Sequence, residues 1–241
     1  MSRALVTGGA SGIGAATVTR LRRDGMRVAA LDVDETRLAD SDADIRVLAD
    51  VTSEPDVRRG VDEAAAALGG LDVVVAAAGV AGRGTAADIP LAEWERVFAV
   101  NARGVYLTAR VAVPHLREAG GGAVVVVASQ LGLVAAAGAA AYCASKGAAV
   151  MLTRAMAVDH APEGIRVNCV CPGPTVTPLL EDYFALASNP EQERRRYEQA
   201  QVHGRLIEAE EVADAIAYLA SPRASSTIGA ALVVDGGYSI R

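Results

Sequence analysis

The chain has 241 residues, 51% of them hydrophobic, and a formal net charge of −6 at pH 7. A chain of this length can bury one sizeable core, and α/β folds of this size commonly form a single domain. The acidic balance argues against a basic surface that would hold nucleic acid or an anionic membrane. Three cysteines without metal-ligand spacing predict a reducing, cytoplasmic compartment and no metal site.

One uncharged stretch, residues 119–145, is long enough to be considered as a membrane span. Three consecutive glycines lie near its start, Ser129-Gln130 interrupts it, and the run 124–127 is all valine, which favours a strand. The first residues also lack the pattern of a secretion signal, since a short apolar run there leads directly into glycine. The sequence therefore predicts a soluble protein with no membrane partner.

The chain opens with an apolar run at residues 3–7, of the kind that a buried parallel strand needs. A helical pattern ending near Arg23 follows, after the turn Thr7-Gly8-Gly9-Ala10-Ser11-Gly12-Ile13-Gly14. Glycines at such a turn let backbone N–H groups approach a phosphate at the positive end of a helix dipole. This spacing differs from the general GxGxxG fingerprint but serves the same purpose. The alternative is a tight turn without a ligand, since any such turn can contain glycine.

The second apolar run, residues 26–31, ends in Asp32, 18 residues after Gly14. An acidic residue at this point accepts hydrogen bonds from the hydroxyls of an adenosine ribose and repels a 2′-phosphate. No Arg or Lys lies between Thr7 and Gly14, or at Val33, to hold that phosphate. The pattern therefore favours NAD over NADP. A solvated carboxylate at a strand end is the alternative.

Strand and helix patterns alternate along the rest of the chain. Further strands are predicted at 45–49, 71–75, 124–128, 165–170 and 231–234, and helices at 53–68, 91–99, 104–117 and 208–220, with one more that carries Tyr142 and ends near 160. This alternation predicts an α/β fold with a Rossmann-type, doubly wound parallel sheet of about seven strands and helices on both faces. A single domain spanning 1–241 is expected. Residues 178–203 are polar and predicted to be irregular, an excursion typical of a substrate lid.

Tyr142 and Lys146 are four residues apart, so on a helix they share one face. An ammonium beside a phenol stabilises the phenolate, and lowering a tyrosine pKa from about 10 to about 7 needs roughly 4 kcal/mol. The ammonium and the positive ring of a bound cofactor together are within reach of that figure, which would make Tyr142 a general acid/base. Ser129 follows a predicted strand, at the edge that faces the ligand crevice in open α/β sheets. The alternative is two amphipathic side chains and a strand-end hydroxyl without a task.

Over essentially its whole length the chain resembles the short-chain dehydrogenase/reductase family. The resemblance rests on a cofactor loop at Thr7-Gly8-x-x-x-Gly12-x-Gly14, an adenine contact at Asp50-Val51, a catalytic tetrad at Asn101, Ser129, Tyr142 and Lys146, a nicotinamide-side loop at Pro172-Gly173 with Thr175 and Thr177, and a C-terminal signature at Asp235-Gly236-Gly237. The family usually has Asn-Asn-Ala-Gly after the fourth strand, whereas this chain has Ala76-Ala77-Ala78-Gly79. This departure puts the strength of cofactor binding in doubt and leaves the proton-transfer residues intact.

The resemblance implies an NAD(H)-dependent enzyme that interconverts a secondary alcohol and a ketone. Tyr142 would exchange the hydroxyl proton, Ser129 would bind the substrate oxygen, and Lys146 would lower the Tyr142 pKa and hold the nicotinamide ribose. Asn101 would position a relay water, although a helix-break cap is its alternative role. The cofactor-binding residues it implies are Gly8, Ser11, Gly12, Ile13, Gly14, Asp32, Asp50, Val51, Ala78, Gly79, Tyr142, Lys146, Pro172, Gly173, Thr175 and Thr177.

Two other functions stay open: an NADP-dependent 3-oxoacyl reductase, and a nucleotide-binding regulator without turnover. The resemblance also implies a homotetramer or homodimer. The substrate is a small alcohol or ketone whose identity the sequence does not indicate. An apolar pocket is suggested by Leu131, Leu133, Val134, Leu179, Leu180 and Phe184. The run Arg194–Arg196 is expected to be a solvated charged face, with attraction of an anionic substrate as the alternative.

Overall fold

A computed structural model describes residues 2–240. The strands are β1 (Arg3–Thr7), β2 (Arg27–Asp32), β3 (Ile45–Leu48), β4 (Val73–Ala76), β5 (Gly122–Val127), β6 (Ile165–Pro172) and β7 (Ala231–Val234). The helices are α1 (Gly12–Arg23), α2 (Glu35–Ala39), α3 (Glu54–Leu68), α4 (Leu91–Phe98), α5 (Val105–Glu118), α6 (Ala140–His160), α7 (Pro178–Ala185), α8 (Pro190–Ala200) and α9 (Ala209–Ala220). All seven predicted strands are present, and no strand end is shifted by more than two residues.

The strands form one seven-stranded sheet in the order β3-β2-β1-β4-β5-β6-β7, and every neighbouring pair is parallel. The chain builds outwards from β1 to β3 and then returns to place β4 on the other side of β1, where the two strands are hydrogen-bonded neighbours. At such a switch point the loops after adjacent strands diverge and leave a crevice at the carboxyl ends. The predicted doubly wound, Rossmann-type fold is confirmed.

Helices cover both faces of the sheet, so successive residues of a strand enter different cores. Leu5 and Val74 pack in the cluster that includes α3, α5 and α6, whereas Val6 and Val75 pack in the cluster that includes α1 and α9. Strands buried on both faces have continuous apolar sequences, which explains the valine run of β5. Cys169 and Cys171, two residues apart on β6, lie in the same cluster as free thiols.

The uncharged 119–145 stretch divides as predicted into a strand, a short turn and the beginning of a helix. It contains β5, a single 3₁₀ turn at Gln130–Gly132 and the first residues of α6. No helix in the described part of the chain, 2–240, is both long enough and apolar enough to cross a membrane.

The expectation that 178–203 is irregular is wrong, because most of the segment is helical. Helix α7 begins at Pro178 after Thr177, whose side chain accepts a hydrogen bond from the Leu180 N–H, and α8 begins in the same way after Asn189. Both capping residues can be recognised in the sequence, but the polar composition of the segment led to the prediction of irregular structure. Helix α2, which was not predicted, is capped by Asp34.

The predicted break between the helices at 91–99 and 104–117 is also wrong. A π-helical turn at Ala99–Gly104 joins α4 directly to α5, and Asn101 lies within this turn. Wide turns of this kind occur frequently at functional sites, because the extra residue changes where the side chains of the turn project.

Candidate active site

A cavity of about 360 Å³ opens at the carboxyl ends of the strands, beside the switch point between β1 and β4. Almost every predicted site residue contributes to its wall. These are Gly8, Ser11, Gly12, Ile13, Gly14, Asp32, Asp50, Val51, Ala78, Gly79, Ser129, Tyr142, Lys146, Pro172, Gly173, Thr175 and Thr177. Asn101 is buried behind the wall.

The glycine-rich turn at the start of α1 is of the kind that holds a phosphate-bearing cofactor, and two of its glycines make contacts too close for a Cβ atom. A Cβ on Gly14 would lie 1.9 Å from the Gly8 carbonyl oxygen, so α1 packs directly on the end of β1. Gly8 has φ +66°, a backbone conformation that favours glycine, and a Cβ there would lie 2.7 Å from the Ala78 Cα. These contacts require glycine at both positions, and the turn lies at the N-terminus of α1, where backbone N–H groups can approach a phosphate.

Asp32 closes β2 and faces the same turn. One carboxylate oxygen accepts a hydrogen bond from the Ala10 N–H at 3.0 Å, and the other accepts from the N–H groups of Val33 at 2.8 Å and Asp34 at 3.1 Å. These three bonds fix the carboxylate at the cavity wall and leave lone pairs for further donors. After the next strand, β3, the Asp50 carboxylate accepts a hydrogen bond from the Thr52 N–H at 2.8 Å, which fixes the Asp50-Val51 turn at the cavity wall.

Tyr142 and Lys146 lie one turn apart on α6, and Ser129 follows β5 opposite them. The Lys146 Nζ donates a hydrogen bond to the Val127 carbonyl at 2.8 Å and lies 5.9 Å from the centre of the Tyr142 ring. The Ser129 hydroxyl accepts a hydrogen bond from the Leu131 N–H at 3.1 Å. These contacts bring the three side chains into one wall of the cavity, as their register along the chain predicts.

The predicted lowering of the Tyr142 pKa by Lys146 is not found. Burial raises the pKa of Tyr142, and the adjacent Ser129 hydroxyl opposes this effect only in part. Burial also lowers the pKa of Lys146 to about 8, because its ammonium is desolvated and has no carboxylate partner. The Lys146 ammonium is directed at the Val127 carbonyl and not at the phenol, so it does not offset the effect of burial on Tyr142.

Asn101 clamps the loop after β4. Its amide donates to the Val80 carbonyl at 3.0 Å and to the Ser145 hydroxyl at 3.1 Å, and its oxygen accepts from the Val80 N–H at 2.9 Å. A Cβ on Gly79 would lie 3.4 Å from the Lys146 Nζ and 3.5 Å from the Asn101 Oδ1, so these two atoms flank the same point. The Asn101 oxygen keeps one lone pair for a further donor.

The departure at Ala76-Ala77 is accommodated by packing. Ala76 ends β4 inside one core cluster, Ala77 packs against the other, and the Ala77 N–H donates to the Thr7 carbonyl at 3.1 Å. The central strands are therefore joined without side-chain amides. This loop meets the glycine-rich turn, which on its other side approaches the Thr177 side chain.

The residues of the cavity wall that were not predicted include three with large polar side chains: Gln130, Tyr183 and Tyr197. Gln130 is 5% exposed, and its amide oxygen is buried without a hydrogen-bond partner. Tyr183 and Tyr197 come from α7 and α8, and the signal in the sequence is that they are two of the few aromatic residues in a charged segment. Of the expected apolar lining, Leu131, Leu179 and Leu180 are confirmed, whereas Leu133, Val134 and Phe184 do not line the cavity.

The histidines lie away from this site. His115 contacts Asp62 at 2.8 Å, His160 contacts Glu163 at 3.1 Å, and His203 packs against Gly236. Within residues 2–240 no group of three or more His, Cys, Asp or Glu side chains is arranged to hold a metal ion.

Known proteins of similar sequence share this architecture. The family model described as enoyl-(acyl carrier protein) reductase matches residues 8–239. Cis-4-hydroxycyclohexanecarboxylate dehydrogenase of Sinomonas cyclohexanicum is 44% identical, with 98% of this chain and 96% of the relative covered. The 4-formylbenzenesulfonate dehydrogenase of Comamonas testosteroni is 41% identical (98% and 97% covered), and cyclopentanol dehydrogenase of the same species is 39% identical (98% and 96% covered).

Solved structures agree over the full length. Levodione reductase superposes with a TM-score of 0.96 at 32% identity, covering 99% of this chain and 98% of that one. The 3-ketoacyl-(acyl-carrier-protein) reductase from Brucella melitensis, complexed with NADH, gives 0.91 at 34% identity, also covering 99% and 98%. The fold and site define a dinucleotide-binding oxidoreductase of the Rossmann type. The chain belongs to the short-chain dehydrogenase/reductase family.

Proposed function

We propose that this protein is an NAD(H)-dependent oxidoreductase that interconverts a secondary alcohol and a ketone. The observation that carries the proposal is the convergence of Ser129, Tyr142 and Lys146 on a cavity that is also lined by the glycine-rich turn. A proton-transfer group and a cofactor cradle in one cavity are what such a reaction needs. The named substrates of the relatives, several of them ring alcohols, support a small cyclic alcohol or ketone.

The nicotinamide, when bound, supplies or accepts the hydride. The Ser129 hydroxyl binds the substrate oxygen and stabilises the charge that develops there. Tyr142 takes the proton from the alcohol in oxidation and returns it in reduction. Lys146 keeps donor hydrogens free beyond its bond to Val127, and these can hold the ribose and bind a water. That water would also donate a hydrogen bond to the free lone pair of the Asn101 oxygen, and it would carry the proton towards solvent.

Asp32 supports the choice of NAD over NADP. Its carboxylate is fixed at the cavity wall by three backbone donors, so a 2′-phosphate there would face a negative charge that cannot turn away. No Arg or Lys contributes to the cavity wall near Asp32, within the described residues, to compensate. The adenosine ribose hydroxyls would donate to the carboxylate.

The test is nicotinamide absorbance, measured with NAD or NADP against a panel of secondary alcohols. Turnover is expected with NAD, and Tyr142→Phe should lower kcat by about 10³-fold or more while cofactor binding persists. Tyr218→Phe, which changes an exposed tyrosine on α9, is the matched control and should leave activity unchanged. Asp32→Ser should lower the ratio of kcat/KM with NAD to kcat/KM with NADP. Tight cofactor binding without turnover of any alcohol or ketone would contradict the proposal.

We also propose that the enzyme is a homodimer or homotetramer in the cytoplasm. Large apolar side chains are exposed on α5 and α6, including Tyr106 at 45%, Met151 at 59% and Val158 at 77%. Apolar groups on neighbouring helices are typical of an interface. The three free thiols suit a reducing compartment. Sedimentation that finds a monomer at micromolar concentration would contradict the oligomer.

A further inference from the structure

Arg83 is a cation without an acidic partner beside the cavity. It follows Gly82, which lines the cavity, in the loop between β4 and α4. Its guanidinium lies 3.7 Å over the centre of the Tyr183 ring, and Nη2 donates to the Tyr183 carbonyl. The Nε atom is buried and has no hydrogen-bond partner. A buried donor of this kind lowers stability unless an acceptor satisfies it, so the site lacks an acceptor.

The acidic residues near this loop are already paired. Glu93 approaches Gly82 but holds Arg96 at 2.7 Å, and Glu181 on α7 holds Arg194 at 2.7 Å. No Asp or Glu among residues 2–240 comes within ion-pair distance of Arg83. No carboxylate among the described residues therefore neutralises the charge of this guanidinium.

The arginines of α8 behave differently. Arg194 pairs with Glu181 and Glu198, Arg195 with Glu191, and Arg196 with Glu193. These ion pairs agree with the predicted solvated charged face. Among the arginines of this region, the one suited to an incoming anion is Arg83, not the conspicuous triplet.

The cavity wall next to Arg83 combines apolar and hydrogen-bonding groups. Leu179 and Leu180 of α7 lie beside Tyr183 and Tyr197, whose ring centres are 6.1 Å apart. Burial, together with the adjacent Tyr183 hydroxyl, raises the pKa of Tyr197, so this phenol stays a neutral hydroxyl donor. Such a wall can cover the hydrocarbon body of a ligand and donate to oxygen atoms at its end.

We propose that the alcohol substrate carries an anionic oxygen group, a carboxylate or a sulfonate, remote from its carbinol carbon, and that Arg83 with the Tyr183 and Tyr197 hydroxyls recognises it. This proposal rests on the proposed function and specifies its substrate class. The carbinol end lies at Tyr142 and Ser129, and the anionic end lies at the 178–203 segment, which acts as the predicted lid. Binding of the anion neutralises the charge of the Arg83 guanidinium and holds the lid against the loop after β4.

The test compares three substrates of nearly equal shape: 4-hydroxycyclohexanecarboxylate, its sulfonate analogue and the neutral 4-hydroxycyclohexanecarboxamide. Wild type should prefer the anionic substrates in kcat/KM. Arg83→Gln should lower kcat/KM for them about 10- to 100-fold, mainly through KM, since hydrogen bonds to charged groups contribute that much. The carboxamide should change less than about threefold, and Arg83→Lys should retain part of the preference.

Arg195→Gln is the matched control, because this exposed arginine of α8 lies outside the cavity and should leave all three substrates unaffected. Thermal unfolding and NADH fluorescence confirm that the variants fold and bind cofactor. Equal losses on anionic and neutral substrates would overturn the proposal and reduce Arg83 to a structural anchor of the lid. Wild type without a preference for the anionic substrates would also overturn it, while turnover of the carboxamide leaves the proposed function standing. The relative rates on carboxylate and sulfonate identify which anion the site takes.

Discussion

Lys146 is a buried cation whose energetic cost can be measured directly. Lys146 is 4% exposed, and burial lowers the pKa of its ammonium from 10.5 to about 8. A difference of this size, at about 1.36 kcal/mol per pKa unit, corresponds to roughly 3 kcal/mol of lost stability at pH 7. Protonated Lys146 therefore destabilises the folded enzyme, a cost that is consistent with an ammonium kept for function.

The sign of the pH dependence follows from the two protonation equilibria. Between pH 8 and 10.5 the unfolded chain still binds the proton that the folded protein has released, so stability rises with pH in this window. Lys146→Met removes this contribution and also removes the hydrogen bond to the Val127 carbonyl, a loss that is independent of pH. The stability of the variant relative to wild type should therefore fall by about 1 kcal/mol between pH 7 and pH 9.

Urea unfolding of both proteins at several pH values and one protein concentration measures this difference, and groups common to both cancel. Lys146 is the only lysine among the 241 residues, so lysine labelled with ¹³C at Cε also gives one side-chain NMR signal whose titration reports the pKa. A relative stability that stays constant from pH 7 to pH 9, or an NMR midpoint near 10, would refute the reasoning.

Two further substitutions test how the cavity is built. Gly14→Ala places a Cβ 1.9 Å from the Gly8 carbonyl oxygen and should weaken NADH binding about tenfold or more in a fluorescence titration. Gly147→Ala is the control, because its Cβ would meet only the Gly132 oxygen at 3.7 Å, and this variant should bind NADH normally. Equal affinities of the two variants would contradict the packing argument. Asn101→Leu leaves the Val80 N–H and C=O without partners and should cost about 2 kcal/mol or more in urea unfolding; a loss below about 0.5 kcal/mol would show that the clamp contributes little.

Local patterns predicted the parts of the site that depend on short stretches of chain. The positions of Tyr142 and Lys146 follow from helical spacing, and Asp32 follows from the end of an apolar strand. The same reasoning failed at 178–203, because the caps of α7 and α8 were outweighed by their polar composition. It also failed at Asn101, since a π-helical turn has no sequence signal comparable to that of a helix end.

The sequence by itself therefore determined the fold class, the order of the strands along the chain and the candidate residues around the crevice. The fold class and the strand order depend on hydrophobic periodicity, whereas most candidate residues depend on short motifs that resemble those of the family; both are properties of local segments. Only the tertiary structure decided that burial raises the pKa of Tyr142 and that Arg83 lies over Tyr183, 100 residues later in the chain. Desolvation and pairing depend on which distant segments pack together, and packing sums contacts from the whole chain that no local pattern contains.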